Sequence, residues 1–360
     1  MAESASAYNP EFDPTGIEGG VDTNILPWLP VPGLSGVAVK PLRASMESGL
    51  FSVVMKINSG ARLPSSVFLG GMDLMVLSGK VTYSDGESTS ILEPGVWGYV
   101  SANTRIAEMV AAEDTELLMN FFNAVAFLNS DQLVQSILTS ADIQLMAKRE
   151  GITLVPNTLA ACMDDRPDPF SGTGEPLAIA SGNNAGALVT AAAVSDTTNL
   201  CHPHFIDCRS VPWAVNPDLP DIGLKILRVS QDTGVISLMV RHNGVATPHN
   251  HIGGADFLVL SGRIGYRAGP PEGYGPGVWF YEPPGARHEA TQSLNDEDLI
   301  YTANVYGPLF FDSGKGTPVI AVLSWMEYIQ LAEAGGAKLV PNTAPGDSTL
   351  LAWAPLKGAS

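Results

Sequence analysis

The sequence predicts an all-β protein built as two tandem barrels or sandwiches, each closed by a C-terminal helix. Three observations predict it. Long segments occur twice, the segments are rich in short β-forming runs cut by Gly and Pro, and each copy ends in one stretch of helical periodicity.

The repeat comes first because it sets the organisation. "VDTNILPW" from Val21 answers "IDCRSVPW" from Ile206, and "SSVFLGGMDLMVLSGK" from Ser65 answers "TPHNHIGGADFLVLSGR" from Thr247. "EPGVWGYV" from Glu93 answers "GPGVWFYE" from Gly275, and "IQLMAKREGITLVPNT" from Ile143 answers "IQLAEAGGAKLVPNT" from Ile329. A period of roughly 185 residues is far longer than a solenoid repeat, so a whole domain is duplicated. The division reads as a first domain over 1–165, a connecting segment over 166–200 rich in Gly, Ala, Ser, Pro and Thr, and a second domain over 201–360.

Within a copy, "GVISLMVRH", "ADFLVLSGRIGYR", "GVWFYEP" and "DLIYTANVYG" are short strand-like runs separated by turn residues. "SDQLVQSILTSADIQLMAKREG" and "LSWMEYIQLAEAGG" carry apolar residues at helical spacing and end on Gly151 and Gly335. Many short strands at even spacing suit a sandwich or small barrel.

Composition narrows the function classes. The 360 residues include 19 Lys and Arg against 37 Asp and Glu, a net charge of −18, so neither nucleic acid nor an anionic membrane is an expected partner. The N-terminus shows no basic stretch followed by an apolar one, and no apolar run has the ~18 residues of a membrane span. Three cysteines, Cys162, Cys201 and Cys208, are too few for a disulfide framework, and a reduced, cytoplasmic protein is the expectation.

All six histidines (His202, His204, His242, His249, His251 and His288) lie in the second copy. His249 and His251 stand two apart on a predicted strand and so share a face. His288, after the turn "EPPGAR", is the natural third ligand of one metal ion. The first copy is an internal control: Ser66, Phe68 and Ile106 stand at the three positions. All three ligands are absent together while the glycines around them remain, so the first domain reads as a degenerate, metal-free copy. Apolar side chains can fill such a vacated site and gain packing.

The same comparison sorts the other polar groups. Glu282, Glu289 and His242 answer Val100, Ala107 and Ile57, so each is a candidate pocket group, either beside a ligand or carrying a proton. Tyr266, Tyr281, Arg287 and Trp279 have counterparts of their own kind, which favours structural roles. Asp256 answers Asp73, a carboxylate retained where every histidine is lost. It is therefore expected to be structural rather than a ligand, for instance by accepting backbone N–H groups at the adjacent GG turn. "CHPHFIDC", with Cys201, His202, His204 and Cys208, reads as a strand entering or bridging the barrels rather than a second metal site.

"GVATPHNHIGGADFLVLSG" and "GVWFYEPPGARHEATQ" resemble the two motifs of the cupin superfamily. The second motif runs Gly277, Pro283, Gly285, His288 at the family's spacing, with Gln292 in place of the closing Asn. The first has four residues between Gly244 and His249 instead of five, and no Glu at Ala255 or Asp256. The chain thus resembles a bicupin, which implies two double-stranded β-helix, or jelly-roll, barrels. "EPPGARHEA" and "LIYTANVYGPLFFDSGKGTPV" most resemble the 2,4'-dihydroxyacetophenone dioxygenase group and the related anti-sigma-factor cupin domains. That resemblance implies one divalent metal, Fe(II) first and Zn(II), Ni(II) or Mn(II) as others, held by His249, His251 and His288. It implies a small hydroxyketone or diketone and O2 as substrates, with cleavage of a C–C bond next to a carbonyl. A metal-assisted lyase or isomerase acting without oxygen is the alternative, and a zinc-binding sensor module a second. Two fused cupins often stand in for a cupin dimer, and a homodimer of the chain remains open.

Overall fold

The structure, a computed structural model, describes residues 20–85, 89–163, 172–181, 204–217, 219–266, 270–288, 290–313 and 317–353. It is made of two halves of the same plan, each a jelly roll of one large sheet and two small ones. The large sheet of the first half runs Phe205–Asp207, Val96–Val100, Met72–Ser78, Thr115–Phe121, Phe51–Ile57, Val37–Ala44, Leu29–Pro30. That of the second runs Gly20–Asp22, Val278–Glu282, Ala255–Ser261, Ile300–Tyr306, Val235–His242, Leu219–Ser230, Thr349–Ala352, Leu339–Pro341. Facing each large sheet is a four-stranded one: Thr104–Ile106, Ser66–Phe68, Val125–Leu128, Val134–Leu138 in the first half, and Arg287–His288, His249–His251, Leu309–Asp312, Val319–Leu323 in the second.

Successive side chains on the large sheets point to opposite faces. One face fills the half's own interior, with Val53, Met55, Leu74, Val76, Leu117 and Met119 in the first half and Leu238, Phe257, Val259 and Phe280 in the second. The other faces pack the halves back to back, where Val54, Met75, Leu77, Trp97 and Leu118 meet Leu227, Met239, Leu258, Leu260 and Trp279. Every residue of Met72–Ser78 is accordingly buried, the pattern of a strand covered on both sides. The helices Ser140–Arg149 and Trp325–Ala334 follow the two small sheets and open with capping boxes, Thr139 with Asp142 and Ser324 with Glu327.

The halves exchange their first strands. Gly20–Asp22, at the start of the first half, pairs antiparallel with Val278–Glu282 of the second, and Phe205–Asp207, at the start of the second, pairs with Val96–Val100 of the first. A buried lysine fastens each exchanged segment. Lys40 donates to the Thr23 carbonyl at 2.8 Å beneath Trp28, and its counterpart Lys225 donates to the Cys208 carbonyl at 2.7 Å beneath Trp213. Burial pulls the Lys40 ammonium down to about 8, against the opposing pull of Glu116, Glu175 and Asp22. The connecting segment joins the same contact: Leu177 and Ile179 are buried between the halves, and the Ala178 N–H is accepted by Glu116 at 2.8 Å.

Each exchanged strand meets its host through a glycine–phenylalanine pair. Phe205 lies opposite Gly98, and Gly20 lies opposite Phe280. A Cβ on Gly98 would stand 2.8 Å from the Phe205 ring, and one on Gly20 2.8 Å from the Phe280 ring, so only glycine fits. Gly98→Val is expected to destabilise the protein by ~1–3 kcal/mol through overpacking. Phe205→Ala is expected to cost about 3–5 kcal/mol through the cavity it leaves. Combined, they should cost less than the two separate losses by more than the ~0.5 kcal/mol scatter of independent sites in a urea-denaturation cycle. Strict additivity would show that the two positions do not touch.

Candidate metal centre

His249 and His251 lie on the three-residue strand His249–His251, and its alternation sends both imidazoles into the interior of the second half while Asn250 faces away. Both histidines are buried. Asn250 instead donates to Asp312 at 3.2 Å, and Asp312 also takes both arms of Arg287, at 2.6 and 2.9 Å. This buried bidentate pair holds together the strands on either side of the histidines. It also uses up Arg287, the residue next to His288.

The imidazole rings of His249 and His251 are 5.0 Å apart. The backbone of His288 sits directly opposite His249 in the antiparallel pair, with Phe311 opposite His249 on the other side. The His288 side chain and the whole of Glu289 lie outside the described residues. His249 Nδ1 donates to the Thr247 carbonyl at 3.0 Å, since a carbonyl can only accept. The proton is thereby placed on Nδ1, which in the neutral ring puts the lone pair on Nε2. Two same-face imidazoles, one of them tautomer-locked, with a third histidine in cross-strand register, form a donor set that suits a divalent ion.

Glu282 reaches this place from the facing sheet. It is the last residue of Val278–Glu282 and lies opposite Ala255, on the interior face. Its Oε2 stands 2.8 Å from His251 Nε2, and the carboxylate is fully buried. Beside it is Tyr301, on the strand Ile300–Tyr306; burial raises its phenol far above the ordinary range and the Glu282 charge adds to the rise. Phe311 closes one wall, its ring 5.0 Å from that of His249. The site combines imidazoles, one carboxylate and one un-ionised phenol in an aromatic enclosure, which can bind oxygen ligands on a metal and move a proton.

His242 sits behind Tyr301, and Asp256 and the described part of "CHPHFIDC" face other parts of the fold. His242 is buried under the turn after its strand, with Nε2 3.2 Å from both the Ala246 N–H and the Thr291 carbonyl, and its ring stands 6.3 Å from that of Tyr301. Asp256 points to the opposite face of its strand, toward the contact between the halves. It takes a hydrogen bond from the Tyr306 hydroxyl and another from Asn304 at 3.4 Å, so its partners are side chains and not the GG-turn backbone. Of "CHPHFIDC", Cys201 and His202 lie outside the described residues. Its continuation is the exchanged strand Phe205–Asp207, with burial pushing the Cys208 thiol up to about 12.

The first half repeats the frame without the donors. Ile106 lies opposite Ser66 as His288 lies opposite His249, and the Ser66 hydroxyl donates to the Pro64 carbonyl at 2.7 Å, the bond that His249 makes with Thr247. Phe68 packs on Phe121, which stacks on Phe51 with ring centres 4.5 Å apart. Sequence reasoning missed Tyr301 and Phe311. Tyr301 answers Leu117, so the comparison of the copies could have found it; Phe311 answers Phe127 and gave no contrast.

Among solved structures, the acetylacetone dioxygenase of Acinetobacter johnsonii matches with 18% identity, a TM-score of 0.31, and coverage of 36% of this chain and 87% of that one. A variant of the Bacillus subtilis oxalate decarboxylase matches with 12% identity, a TM-score of 0.47, and coverage of 91% of this chain and 83% of that one. No curated protein sequence matches the chain. The ChrR cupin-like domain matches it twice, over residues 18–126 and 202–306, one match in each jelly roll. Two copies of the domain's frame, one with the histidine set and one without, make the chain a member of the ChrR-like cupin family, a bicupin.

Proposed function

We propose that the second half holds one divalent metal ion, iron(II) first, on His249, His251 and His288, and that the protein is a dioxygenase. It would cleave a C–C bond next to a carbonyl in a small hydroxyketone or diketone. The observation that carries this reading is the register His288–His249, with His251 on the same buried face and the His249 tautomer fixed by Thr247. The metal, when bound, supplies chelation of two substrate oxygens and a route for electrons to O2. Three neutral imidazoles leave its charge to be balanced by the Glu282 carboxylate beside His251, or by an enolate once that carboxylate has taken a proton.

The chain's own groups fit that substrate. Glu282 is the base that takes the acidic proton between or beside the carbonyls, since it is the buried carboxylate at the cluster. Tyr301 stays protonated and donates toward the same space. Phe311 and the surrounding apolar walls exclude water and favour a compact, uncharged molecule. A second reading, a lyase or isomerase that needs no oxygen, is favoured by Glu282 alone, because proton removal at a carbon next to a carbonyl requires only a base and a Lewis acid.

Protein purified anaerobically and loaded with iron(II) is expected to consume oxygen with 1,3-diketones or hydroxyacetophenones at an oxygen electrode. Product formation without oxygen would establish the lyase instead. His249→Ala, His251→Ala and His288→Ala should each lose most of the bound metal and nearly all turnover; full metal content in all three would remove the site. Glu282→Gln should keep its metal while kcat falls by ~10²–10⁴-fold, the usual contribution of a general base.

A further inference from the structure

One row of polar side chains crosses each large sheet on the face between the halves. In the first half, Tyr99, Asp73, Asn120, Ser52 and Arg43 lie opposite one another across five neighbouring strands; in the second, Tyr281, Asp256, Asn304, Ser237 and Arg228 do the same. Both carboxylates and both guanidinium groups are buried. The rows interlock: Arg43 lies over the Tyr281 ring of the other half at 3.5 Å, and Arg228 lies over the Tyr99 ring at 3.9 Å. These are cation–π contacts in a desolvated place. Asn304 donates to Asp256 at 3.4 Å, and the Asp73 charge acts on Asp256 across the contact, so the two buried carboxylates face one another from the two rows.

We propose that Asp73 and Asp256 hold one proton between them, and that this shared proton is part of what fastens the two halves together. The reason is local. Neither guanidinium makes an ion pair with either carboxylate among the described residues: Arg43 donates to Asn157 at 2.6 Å, and Arg228 stacks on Tyr99 with Phe122 beside it. Asn120 donates to Asp73 at 2.8 Å, and Tyr306 and Asn304 donate to Asp256. Asp347 at the rim is engaged by Tyr99, Ser101 and Asn342, and Glu116 accepts from the Ala178 N–H. Two adjacent carboxylates out of reach of water cannot both ionise at ordinary cost. Burial pushes Asp73 up to about 6 against the pull of Asn120 and Arg228, and burial pushes Asp256 up to about 7, with the Asp73 charge adding to the rise and Tyr306 and Arg43 opposing it. The sign follows from linkage: a carboxyl raised in the folded state stabilises below its unfolded value of about 4, and that stabilisation is lost as pH rises through 6 to 7.

The test compares the full chain with Asp256→Asn and Asp73→Asn, since Asn imitates a protonated Asp. At pH 8 the Asp256→Asn protein should melt roughly 2–4 °C or more above the wild type. At pH 5 the gap should close, with metal content equal in both proteins. A gap that is the same at both values overturns the proposal. Should the variants fail to fold, infrared spectroscopy of the wild type decides. A carbonyl band of a buried carboxylic acid should be present near pH 6 and fade by pH 8, and its absence at pH 6 would overturn the proposal equally.

Discussion

The two large sheets lie back to back, and because each is then covered on both faces, central strands such as Met72–Ser78 and Thr115–Phe121 have no solvent side at all. Polar groups in that layer must be answered by other side chains, since an unanswered buried polar group is costly. The two Tyr–Asp–Asn–Ser–Arg rows gather those groups and answer them in part, through Asn120 on Asp73, Asn304 and Tyr306 on Asp256 and the guanidinium–ring contacts, and the exchanged strands and the paired lysines seal the same contact at its edges. The interior of each half is set by what this shared layer leaves free.

Strand alternation lets single strands serve both sides of the sheet. Tyr281 faces the other half under Arg43, while the next residue, Glu282, faces inward to His251. Asp256 lies in the contact layer, while its neighbours Ala255 and Phe257 line the interior. The half that lacks the histidines is therefore not idle, because its Arg43 props a residue covalently next to the carboxylate of the candidate centre. A one-residue slip of that strand would exchange the two roles.

The duplication, the β content and the two closing helices were legible in the sequence, because each rests on local pattern or on likeness between the copies, and the register of the His249 and His288 backbones is what the proposed three-histidine set requires. The strand exchange was not. "GVD" and "FID" are three-residue strands whose partners are chosen by the contact of whole sheets, and nothing local says which sheet takes them. The retention of Asp73 and Asp256 was visible, but their partners Asn120, Asn304 and Tyr306 come from distant strands, so a local turn was the natural assignment. Tyr301 was hidden for a different reason: it lies inside an apolar run that reads as ordinary core.

The reversed glycine–phenylalanine pairs bear on how such a chain evolves. Two copies of the first half, trading strands with each other, would set Gly20 against Gly98 and leave a gap; two copies of the second would set Phe205 against Phe280, ring upon ring. Only the mixed couple is complementary. Once the bulky residue had moved to opposite sides in the two copies, the duplication became a ratchet. Neither copy could return to life as a self-pairing unit, and loss of the half without histidines would strand the other.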